Sequence, residues 1–131
     1  MDIKHMVQVV VEVNAIYQGK IQIGSETFDA WKYNILVKNN SSNKIQVIGR
    51  YWNIVDSKGF MREISGDDVV GERPKIDSGK SFYYSSYANL KTSSGLMYGK
   101  YTVCDLKENT VFEVKIPMFS LDSPEEEVFL N

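Results

Sequence analysis

Residues 66–74, GDDVVGERP, gather side chains and glycines of the kind that handle charged ligands. Gly66 and Gly71 have the spacing of the first and third glycines in G-x-G-x-x-G, the loop that cradles a dinucleotide pyrophosphate. Gly66, Asp67, Asp68, Gly71 and Arg73 could therefore form a nucleotide or pyrophosphate site. Backbone amides would supply a nest and Arg73 would meet phosphate. Two features oppose this. Asp68 stands where the middle glycine would let the backbone approach, and its carboxylate repels an anion. Pro74 and Gly79 then interrupt the chain, so no helix N-terminus follows to hold the phosphate. A second chemistry is a weak divalent-cation site from Asp67, Asp68 and Glu72, since hard cations take oxygen ligands. A third reading needs no ligand. The glycines serve backbone conformations that other residues resist, and Val69 and Val70 tuck the loop against the edge of the fold.

Other reactive residues are few. The only histidine, His5, precedes the first strand, so a nucleophile–histidine relay would depend on a chain end. The only cysteine, Cys104, lies mid-strand in YTVCDL and reads as a small core hydrophobe. These two cannot make a zinc cluster, so no metal site and no cofactor are expected. The formal net charge of −2, without Lys/Arg blocks, offers no field for nucleic acid. Phe82, Tyr83, Tyr84 and Tyr87 form an aromatic run. Alternation puts Phe82 and Tyr84 on one face and Tyr83 on the other. Such a row either packs across strands or anchors a partner.

The elements that must position these residues are strands. In VQVVVEVNA, residues 7–15, Val7, Val9, Val11 and Val13 share one face. WKYNILVK at 31–38 alternates in the same way. NNSSN at 39–43 is a turn, and KIQVIGRYWNIVD follows as a strand in which Gly49 predicts a bulge or a close approach. DSKG at 56–59 turns into FMREIS, and PKIDSGK at 74–80 is another turn. SFYYSSY, GLMYGKYTVCDL at 95–106 and VFEVKIP complete the set. About seven strands with frequent turns and no helical period predict an all-β, antiparallel sandwich. One domain over 1–131 is expected, with its core at about 6–121 and an acidic tail at 122–131. No apolar run reaches membrane-span length. The N-terminus lacks a signal-peptide layout and the cysteine has no mate, so a cytoplasmic location is expected.

Several segments carry a family resemblance: RYWNIVDSKG at 50–59, VVGERP at 69–74, IDSGKSFYYSS at 76–86, LKTSSGLMYGKY at 90–101 and FEVKIPMFSL at 112–121. In this order, over nearly the whole chain, they resemble the bacterial ApaG family, also called CorD. The resemblance implies an immunoglobulin/fibronectin-III-like sandwich. It also implies a genetic association with cobalt tolerance and magnesium efflux. Related domains fused to eukaryotic F-box proteins imply a protein-interaction role. Many members carry a full G-x-G-x-x-G where this chain has GDDVVG. The leading expectation is a non-enzymatic interaction module with a protein partner, contacting neither nucleic acid nor membrane. Its contact residues are expected to be Arg50, Trp52, Glu72, Arg73, Tyr83 and Tyr87, with Arg50 and Trp52 alternatively structural.

Overall fold

The computed structural model describes residues 8–124. Among them, eight strands run in chain order: β1 Val9–Ile23, β2 Glu26–Asn39, β3 Ile45–Asp56, β4 Met61–Gly66, β5 Lys75–Ile76, β6 Ser81–Leu90, β7 Ser94–Asp105 and β8 Thr110–Asp122. They form two antiparallel sheets. One has the order β1-β2-β6; the other has β4-β3-β7-β8, with the short β5 pairing with β3. This is the expected all-β sandwich of immunoglobulin/fibronectin-III type. His5 and residues 125–131 of the acidic tail lie outside the described residues.

Alternation creates the core. Trp31, Tyr33, Ile35 and Val37 of β2 point inward, opposite Ala88, Ser86, Tyr84 and Phe82 of β6. From the other sheet come Val47, Trp52 and Ile54 of β3, with Met97, Tyr101 and Val103 of β7. Burying each large apolar side chain stabilises the fold by roughly 1.5–3 kcal/mol. Within the core Tyr33, Trp52 and Phe119 meet with ring centroids 5.6–6.1 Å apart.

The first strand runs further than its pattern indicates. Past Tyr17 the register shifts at a bulge, and the β1–β2 hairpin continues as an arm to Ile23 and Glu26. Residues 20–27 of this arm are exposed, so alternation there has no buried face to mark it. The buried Asp29 carboxylate fixes the bend by accepting from Tyr17 Oη (2.6 Å) and Lys20 Nζ (3.0 Å). The segment at 74–80 also differs from expectation. It contains β5, because Ile76 is buried against β3. The expected irregularity at Gly49 is a register shift between Val47 and Gly49.

Candidate binding cleft

Strand order leaves β4 and β6 on the open edges of their sheets, facing one another across the sandwich. Arg62 of β4 bridges them by donating to the Asn89 carbonyl of β6. Beside this bridge lies a cavity of about 190 Å³. Arg50, Ile64, Val70, Tyr84, Ser86 and Tyr87 line it, above a floor of Tyr33, Trp52, Ile54 and Met97.

Arg50 is the cavity's one cation. Its β3 position faces the core, paired with Tyr101 on β7 and Gly66 on β4. A Cβ on Gly66 would stand 2.8 Å from Arg50 Nη1, so glycine at 66 makes room for the guanidinium. That corrects the expectation that Gly66 serves a special backbone angle. The Arg50 side chain is 26% exposed, and its Nη2 lies 3.9 Å from Asp68 Oδ1. This separation is an ion pair but too long for a hydrogen bond. Nη1 is buried and has no hydrogen-bond partner. Nearby, the buried hydroxyls of Tyr84 and Tyr101 hydrogen-bond to each other, and Tyr33 stands opposite Ser86 across the β2–β6 pair. Burial raises the pKa of all three tyrosines. They remain neutral, so among the described residues the Asp68 carboxylate is the one counter-charge beside Arg50.

The GDDVVG segment ends in a two-residue hairpin loop. Val69 and Glu72 exchange both backbone hydrogen bonds, at 2.6 and 3.0 Å. Val70 (φ 50°) and Gly71 (φ 79°) occupy the corner, as a type I′ turn requires. Gly71 thus has the positive φ expected of it. Val69 is 1% exposed and anchors the loop. Val70 departs from expectation: it is 57% exposed and forms part of the cleft wall. A β-branched residue in this conformation is strained.

Arg73 commits its guanidinium to backbone carbonyls rather than holding it free for a phosphate. Its Nε donates to the Asp67 carbonyl (2.8 Å), and one Nη donates to the Ile48 carbonyl at the β3 bulge (3.3 Å). It staples the loop to β3. Glu72 is exposed at the end of the hairpin loop. No group of three potential metal-ligating side chains occurs among the described residues.

Trp52 is 2% exposed and packs edge-on against Tyr33 and Phe119. The expectation that it contacts a partner is therefore corrected; β3 turns it into the core. Tyr83 and Tyr87 are 60% and 68% exposed on the outer face of β6, beside Leu36 and Lys32 of β2. Phe82 and Tyr84 face inward, as alternation requires. Cys104 is half-buried, with Sγ 3.6 Å from its neighbour's carbonyl. Tyr33, Tyr101 and Ser86 were not singled out in the sequence. They look like ordinary strand residues, and only the packing of the two sheets brings them to Arg50.

A family model described as the ApaG domain matches residues 24–105. A protein named ApaG from Brucella canis is 46% identical over 101 residues, covering 77% of each chain. Its namesake from Brucella abortus (strain S19) is 45% identical over the same coverage. Among solved structures, a Bordetella pertussis protein named ApaA superposes with a TM-score of 0.81 at 32% identity. The match covers 88% of this chain and 94% of that one. An X-ray structure of a structural-genomics target gives a TM-score of 0.85 at 28% identity, covering 91% and 89%.

Proposed function

The chain belongs to the ApaG domain family, and we propose that it works as a non-enzymatic, cytoplasmic protein-interaction module. The face around β6 and the β4–β6 cleft is its recognition surface. The observation that carries this reading is the pair Tyr83 and Tyr87, both largely exposed on an open edge strand beside a cationic cleft. Tyrosine and arginine supply much of the energy of protein interfaces once water is excluded. An unpaired strand edge also offers backbone donors and acceptors to an incoming segment.

The family's association with cobalt tolerance and magnesium efflux fits an indirect role. The module would act on a protein that handles divalent cations, without holding the metal itself. The test is affinity capture from native cytosol with wild-type bait and with a Tyr83→Ser/Tyr87→Ser bait of equal thermal stability. A partner retained by the first and lost by the second is expected. Equal retention by both would move the interface away from β6.

A further inference from the structure

We propose that the β4–β6 cavity is a carboxylate-binding site in which Arg50 receives a single carboxylate carried on a short apolar body. This rests on reading the cleft as a recognition surface and names the chemistry recognised there. The first ground is the guanidinium. Its Nη1 is buried without a partner, and its nearest carboxylate oxygen stands 3.9 Å from Nη2. Buried polar groups are otherwise almost always hydrogen-bonded. A carboxylate offers planar acceptors that match the guanidinium fork and would supply the acceptor that Nη1 lacks.

The second ground is size and lining. A cavity of about 190 Å³ is below the usual range for drug-sized ligands. It admits a carboxylate head and a few carbon atoms. Ile64, Val70, Tyr84 and Tyr87 give that body apolar and aromatic contacts, and Ser86 adds a hydroxyl. The third ground excludes polyanions. Asp68 lies beside the only cation of the cavity. A phosphate dianion would meet twice the repulsion from Asp68 that a carboxylate meets, and its three oxygens need more donors than one guanidinium supplies. The chain's negative net charge adds no compensating field.

The carboxylate can come from a small organic acid or from a peptide terminus. The experiment separates them. Backbone amide NMR shifts of the intact protein are followed during titration with hexanoate and 3-phenylpropionate. The neutral 3-phenylpropanamide and a phenylphosphonate dianion serve as controls. A parallel arm uses a short peptide ending in leucine, with a free or an amidated C-terminus. The expected result is saturable shifts at Arg50, Gly66, Val70 and Ser86 with the carboxylates, and binding about tenfold or more weaker with the neutral amide. Arg50→Gln should abolish the shifts. Gly66→Ala keeps the charge but displaces the guanidinium, so it should weaken binding while the far sheet edge stays unperturbed. Tighter binding of the free peptide than of the small acids assigns the site to a chain terminus; the reverse assigns it to a metabolite-sized acid.

Absence of saturable carboxylate shifts overturns the inference. So does retention of binding by Arg50→Gln, or tighter binding of the phosphonate. The proposed interaction role has a separate fate. Partner capture that depends on Tyr83 and Tyr87, with no carboxylate binding, removes this inference alone. Carboxylate binding without a captured partner removes the protein-partner reading alone.

Discussion

Val70 and Gly71 share one tight turn and use it differently. Gly71 adopts φ 79° with open space where a Cβ would stand. Gly71→Ala therefore acts through backbone conformation alone. It should destabilise by ~1 kcal/mol and lower Tm by roughly 3–5 °C for a domain of this size. Val70 is a β-branched residue at φ 50°. Asparagine favours that corner, so Val70→Asn should raise Tm by a similar few degrees. Thermal melts of the two variants check both signs. A Val70→Asn variant that is more stable yet binds less well would identify the strain as serving the cleft.

The tyrosine pair gives a second residue-level expectation. Tyr84 and Tyr101 satisfy one another's hydroxyls inside the core. Tyr84→Phe leaves the Tyr101 hydroxyl without its partner and should destabilise by ~1–3 kcal/mol. The double Tyr84→Phe/Tyr101→Phe variant removes both polar groups and should recover much of that loss. A double variant as damaged as the sum of the singles would contradict the pairing. Tyr33, Tyr84 and Tyr101 also set a pH dependence, because burial raises each above the ordinary tyrosine value of 10.0. Below pH 10 the folded and unfolded chains both hold these protons. Above it the unfolded chain releases them first, so their stabilisation falls as pH rises from 10 towards the folded values. Urea melts between pH 9 and 11 should show this decline, and the double phenylalanine variant should show less of it.

At the scale of elements, alternation made the sandwich legible wherever one face is buried. WKYNILVK shows this best: every second residue from Trp31 to Val37 is buried. The β1–β2 arm was illegible because neither face of residues 20–27 is covered, so the pattern lost its physical cause. Ile76 was hidden within a turn-like sequence and emerges only through its pairing with β3. Trp52 stayed open between two readings for a different reason. A large aromatic beside Arg50 reads equally well as an interface anchor or as core, and only the inter-sheet packing against Tyr33 decides. Arg73 was read from its type as a free cation, whereas the bulge at Gly49 presents the Ile48 carbonyl for it to bind. The arm supplies its own expectation. Asp29 accepts from Tyr17 and Lys20 at the bulge. Asp29→Ala should therefore destabilise by ~2 kcal/mol, with faster hydrogen exchange concentrated in residues 17–30. Uniform acceleration across both sheets would show that Asp29 supports the whole core.

For the whole molecule, two three-dimensional facts define the proposed recognition surface. Sheet order leaves β4 and β6 open on the same side, and the loop after β4 folds back to place Val70 over Arg50. Neither can be read from a linear pattern, since strand order depends on which distant strands pair. The chain's fold and family follow from its segments; the cleft follows from the assembly of those segments. The most direct measurement is a hydrogen-exchange footprint of the protein with the partner captured by wild-type bait. The expected result is protection confined to β6, β4 and residues 68–72, and absent from the β1–β8 edge. Protection centred on the β1–β8 edge, with β6 exchanging as in the free protein, would contradict the proposed recognition surface.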